Sequence, residues 1–115
     1  MNLLDELDFR AKWMQIEQML IERFGKKPDM EGILYLIGVN ELGKGVPEKA
    51  FTKEQKQDLM HIATCALLAQ SGYYEYEGHD AEGWPHYKLI ETPPAESLEK
   101  QELFLKQHII AYFED

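Results

Sequence analysis

A chain of 115 residues, 44% apolar and 29% charged, has the composition of an ordinary folded domain and enough apolar content for one hydrophobic core. Its longest unbroken apolar run, Ile33 to Val39, is far short of the roughly twenty residues a bilayer span needs, so no transmembrane helix is expected. Twenty-one acids against twelve bases give a net charge of −9, which disfavours nucleic acid and anionic lipid as partners.

The charge is uneven. Residues 1–72 carry a net −2 and residues 73–115 a net −7. An acidic balance of this kind serves solubility first, with a basic protein partner as the sharper alternative. The opening Met1-Asn2-Leu3-Leu4-Asp5-Glu6 is acidic where a secretory signal would be basic. Cys65 is the single cysteine and excludes an intrachain disulfide, which fits a reducing cytoplasm.

Phe9, Trp13, Ile16, Leu20 and Phe24 recur at helical spacing and predict a first helix over Leu3–Phe24, stopped by Gly25 and Pro28. A second helix is expected over Asp29–Glu41. Ile33, Leu34, Leu36 and Ile37 make it apolar nearly all round, with Leu42 just beyond it, which predicts a central position in the core. Leu42-Gly43-Lys44-Gly45-Val46-Pro47 reads as a loop. A third helix has the clearest start, with Thr52 as N-cap and Gln55 completing a capping box, and runs to about Ser71. Leu59, Ile62, Ala63, Ala66, Leu67 and Gln70 mark its broad, mostly apolar face.

Beyond Gly72 the period changes to two. Tyr73–Glu77 and Tyr87–Ile90 read as strands joined by an exposed Gly78–Gly83 loop, with Pro85 at the poor start or edge of the second strand. Glu75 and Glu77 are expected to face His86 and Lys88. A last helix starts near Glu96 or Ser97, with Leu98, Leu105, Ile109 and Tyr112 on one stripe and Phe113 beside it. Leu103, Ile110 and Phe104 lie off that stripe, which makes the helix apolar on three sides. The fold class is α+β: a mainly helical single domain over 1–115, four helices with one two-stranded antiparallel β-ribbon between the third and fourth, in the order ααα–ββ–α.

Two groups of side chains carry ligand chemistry. Asp58, His61 and Cys65 share a helix face about 180° from the apolar stripe, a set able to hold zinc or form a nucleophile–base pair. A zinc ion would need a fourth ligand, for which His79 and His86 are the candidates. The ribbon loop holds His79, Asp80, Glu82 and His86, legitimate ligand types whose spacing matches no calcium loop. In both places a structural role is the expectation: a buried cysteine beside a half-exposed histidine, and a polar hairpin tip. The phosphate-loop, G-x-S-x-G, H-E-x-x-H and paired C-x-x-C motifs are absent. No catalytic residue, metal ligand or cofactor is therefore assigned.

The capped helix, the segment Leu67-Leu68-Ala69-Gln70-Ser71-Gly72-Tyr73 and a ribbon ending Tyr87-Lys88-Leu89 resemble the recognition helix and wing of winged helix-turn-helix proteins over residues 52–91. The resemblance implies DNA contacts from Thr52, Lys53, Gln55, Lys56 and Gln57, with Lys44 and Lys49 just upstream. Two features depart from the family pattern. The second and third helices are about ten residues apart where a tight turn needs three or four. The presumed wing, residues 73–91, carries five acids and one lysine.

The function expected from these features is non-catalytic: a cytoplasmic interaction module, working as a homodimer or as the acidic partner of another protein. Leu103, Phe104, Ile110, Tyr112 and Phe113 on the last helix, with Trp84 on the ribbon, are the candidate interface. A winged-helix-like DNA-binding regulator is the alternative, and a metal- or small-molecule-binding protein the third.

Overall fold

The computed structural model describes residues 3–44, 50–94 and 96–114. Its elements are α1 (Leu3–Phe24), α2 (Met30–Leu42), α3 (Lys53–Ala69), β1 (Tyr74–His79), β2 (Pro85–Leu89) and α4 (Leu98–Phe113). Four helices with a two-stranded antiparallel sheet between α3 and α4 match the expected order. The expected Gly45-Val46-Pro47 part of the loop, and Lys49, lie outside the described residues. Two compact units divide the chain, one formed by residues 1–29 with 95–115 and the other by 30–94.

In the first unit α1 pairs with α4. Ile16 and Leu20 on α1, and Ile109 and Ile110 on α4, are buried, as the three-and-four spacing requires. Two stripe residues behave otherwise. Phe24, in the last turn of α1, is 50% exposed with the Arg23 guanidinium over its ring, and Leu98, the first residue of α4, is 84% exposed. A helix end has neighbours on one side only, so periodicity overstates burial there. Ser97 caps α4 by accepting from the Lys100 amide at 3.3 Å. Lys12 lies between Asp8 at 3.3 Å and Glu114 at 3.2 Å, and these contacts, Glu114 first, hold its pKa above the ordinary lysine value. The acid that opposes the α4 dipole is thereby paired.

The second unit is organised by α2 against α3. Ile33, Leu34, Ile37, Gly38 and Leu42 are buried on α2, and Leu59, Ile62, Ala63, Ala66, Leu67 and Leu68 on α3. The close approach occurs at Gly38, where an added Cβ would stand 2.1 Å from the Leu59 carbonyl oxygen. At this glycine α2 faces the α3 backbone directly. Thr52 caps α3 as expected: its hydroxyl accepts from the Gln55 amide at 3.1 Å, and the Gln55 carboxamide accepts from the Thr52 amide at 2.9 Å.

The ribbon pairs Tyr74 with Leu89, Glu75 with Lys88, Tyr76 with Tyr87, Gly78 with His86 and His79 with Pro85. Glu75 opposes Lys88 as the alternation predicts. The register shifts between Tyr76 and Gly78, so Glu77 has no opposite residue and neither glutamate faces His86. Both strands reach farther toward the tip than the aromatic pattern suggested, because the turn is short. The Asp80 amide donates to the Trp84 carbonyl at 2.9 Å and the Gly83 amide to the Asp80 carbonyl at 2.9 Å. This tight turn places Gly83 at φ +87°, a left-handed position suited to glycine. Pro85 opens β2 and is buried.

Replacing Gly38 by Ala should lower stability by about 3 kcal/mol, because the Leu59 carbonyl is backbone and cannot rotate away. Thr52→Ala should cost about 1 kcal/mol through loss of the cap. Urea denaturation of the two variants orders them, and equal losses would contradict the close approach.

Candidate functional site: the cleft between α3 and the ribbon

A cleft of about 480 Å³ opens within the second unit, lined by Gln55, Asp58, His61, Ile62 and Cys65 from α3 and by Asp80, Glu82, Trp84, Pro85, His86 and Tyr87 from the hairpin. Both groups of ligand-type side chains noted in the sequence therefore meet in one place, with the exception of His79. That histidine lies in a separate groove with Glu41, Gln70, Tyr76 and Tyr87, and its Nδ1 is hydrogen-bonded to the Tyr76 hydroxyl.

The α3 wall follows from helical periodicity. Positions 58, 61 and 65 share a face, and the hairpin packs on its later part. Asp58 and His61 are exposed, whereas Cys65 and Leu68 are buried. The Cys65 sulfur lies 3.6 Å from His61 Nε2. Burial pushes the Cys65 thiol up from 9.0 to about 11, so at neutral pH it is protonated and a poor nucleophile.

The hairpin wall is fixed by Asp80. Its Oδ1 accepts from the Glu82 amide at 2.9 Å and from the Trp84 amide at 3.0 Å, and Oδ2 lies 2.8 Å from His86 Nε2. These contacts, the His86 bond first, hold the carboxyl down from 3.8 to about 2. An ionised carboxylate only accepts, so His86 Nε2 carries the shared proton. Trp84 anchors the hairpin from behind. It packs against buried Leu42, Phe51 and Leu59, its ring edge-on to Phe51 at 6.5 Å, and Phe51 meets Tyr35 the same way at 6.3 Å. The Lys44 ammonium donates to the Glu82 carbonyl.

The candidate interface residues have diverse surroundings. Ile110 is buried, lining grooves beside α1 with Lys12, Ile16 and Phe9. Phe104, Tyr112 and Phe113 are half-buried, Leu103 is 37% exposed, and Trp84 is half-buried on Phe51. His108 is buried and donates from Nδ1 to the Phe104 carbonyl at 2.7 Å. Of the residues that the winged-helix resemblance assigns to DNA, Lys53, Lys56 and Gln57 are exposed, while the Gln55 oxygen is committed to the cap.

Two features of the site were missed in the sequence. Phe51 was given no role, although a lone aromatic just before an N-cap can signal a buried anchor. The Asp80-Ala81-Glu82-Gly83 string, expected as an exposed loop carrying ligand-type side chains, is a tight turn, and Asp followed three positions later by Gly is a turn signature with a defined carboxylate role. Compared with protein-family models, curated proteins and solved structures, the chain matches none.

Asp80 has a depressed pKa in the folded chain, so its contribution to stability is present above about pH 4 and is lost as pH falls toward about 2. The wild-type chain should therefore lose more stability across that interval than Asp80→Asn, as measured by denaturation at a series of pH values; parallel curves would contradict the pairing. At neutral pH, Cys65 should react with a thiol reagent at least about a hundredfold more slowly in the native chain than in the unfolded one.

Proposed function

We propose that this chain is a non-catalytic binding protein whose ligand is held in the cleft between α3 and the ribbon. The observation that carries this is the meeting of Asp58, His61 and Cys65 with Asp80, Glu82 and His86 in one cleft walled by Trp84 and Tyr87. Its volume suits a small ligand or a single side chain of a partner. The hairpin wall is preorganised by the Asp80 bonds, and the protonated thiol favours holding over nucleophilic chemistry. A set of small polar fragments added to the isotope-labelled chain should shift amide signals of His61, Cys65, Glu82 and Trp84 together, and His61→Ala should weaken those shifts. Shifts confined to other parts of the chain would overturn the assignment.

A second role, self-association or docking to another protein, is favoured by a specific observation. Leu7, Met14 and Phe24 on α1 and Leu98 and Leu103 on α4 are large apolar residues exposed by 37% or more. Light scattering over a tenfold concentration range should give twice the 13.4 kDa chain mass, and Leu103→Glu should return it to the chain mass with helix content intact. A wild-type mass that stays at 13.4 kDa would contradict self-association. Ile110→Glu is uninformative here, because it would bury a carboxylate.

A further inference from the structure

We propose that the groove lined by Glu41, Gln70, Tyr76, His79 and Tyr87 is a second site, which takes a quaternary ammonium group. Its volume is about 520 Å³, and Ala66, Ala69 and Pro85 complete the lining. Three rings meet there. Tyr76 pairs with Tyr87 across the strands, with centroids 5.6 Å apart and planes tilted by 58°, and stands edge-on to His79 at 5.5 Å. A hydrogen bond between the Tyr76 hydroxyl and His79 Nδ1 fixes the second pair. A tyrosine face carries the negative part of the ring quadrupole, so a cation within about 6 Å of the centroid is attracted. The Tyr76 and Tyr87 rings are close enough for one cation to meet that distance to both.

The electrostatics favour the same ligand. Glu41 supplies a carboxylate, and among the described residues no Lys or Arg lines the groove. Glu41 lies in the last turn of α2, and Ala66, Ala69 and Gln70 lie at the end of α3. A helix C-terminus carries partial negative charge, and neither last turn holds a basic residue to offset it. The lining then selects among cations. A metal ion needs several ligating side chains, and among the described residues no group of three His, Cys, Asp or Glu is placed to hold one. A primary ammonium carries three donors, each of which wants an acceptor. A trimethylated ammonium has no donor and presents methyl groups to the rings and to Ala66, Ala69 and Pro85. Free choline and the side chain of a trimethylated lysine on a partner both offer this group.

The test is a magnetic-resonance titration of the full isotope-labelled chain with choline, beside its uncharged tert-butyl isostere. Choline should shift the signals of Ala69, Gln70 and Tyr76, which line the groove and not the cleft, with an affinity of about 1 mM. The isostere should bind about tenfold more weakly, and Tyr76→Leu and Glu41→Gln should each weaken choline binding to a similar extent, with circular dichroism unchanged. Glu41 lies outside the ribbon, so its variant keeps the test decisive if Tyr76→Leu disturbs the hairpin. A peptide carrying trimethyl-lysine, beside the same peptide carrying lysine, identifies the source. Binding of the methylated peptide tighter than choline assigns a partner side chain, and equal or weaker binding assigns a free ligand. Equal affinity for choline and its isostere overturns the proposal, as does wild-type affinity in the folded variants or a groove whose signals do not move. If choline shifts only His61 and Cys65, the groove proposal fails and the cleft stands as a binding site.

Discussion

The contact of Gly38 with the Leu59 backbone is the constraint on which the cleft depends. It lets α2 and α3 approach so closely that any side chain at position 38 would collide with a carbonyl oxygen. With that distance set, Leu59, Ala63 and Leu67 are removed from solvent and α3 has a fixed orientation. Its opposite face, bearing Asp58, His61 and Cys65, is then presented to the hairpin. Packing density explains why one methyl group matters at this point: the interior has no slack, and the clash is with main chain rather than a movable side chain.

The hairpin is held by different forces. A two-stranded ribbon is marginal alone, and here three unlike interactions support it. Asp80 gathers the turn amides and His86, Trp84 inserts among Phe51, Leu42 and Leu59, and Lys44 caps the Glu82 carbonyl. The first is electrostatic and exposed, so it is sensitive to pH. The second is apolar and half-buried, so it is not. The cleft wall is thus polar toward the site and aromatic behind it, a division that positions charged groups without burying them.

The same environment sorts the ionisable groups of the cleft into two kinds. Asp80 is stabilised as an anion by donors that surround it, whereas Cys65 is kept neutral by burial. A carboxylate that cannot easily be protonated and a thiol that cannot easily be ionised make a poor acid–base pair.

Much of the fold was legible in the chain because it is written in local chemistry. The first helix runs over the residues its periodicity marked, Thr52 and Gln55 form the expected capping box, and Glu75 opposes Lys88 by alternation. The candidate site was legible only as two unconnected halves, since Asp58, His61 and Cys65 share a face by helical geometry while His86 and Asp80 lie beyond a turn. The sequence by itself determined the elements, their order, the acidic balance and the residue types available for binding, since capping, periodicity and charge act over a few positions. Tertiary structure alone decided that the two halves line one cleft, that Phe51 and Trp84 anchor it and that Ile110 is spent on α1. Those outcomes depend on which surfaces meet at close range, and steric fit between distant segments, such as Gly38 on Leu59, leaves no local pattern in the chain.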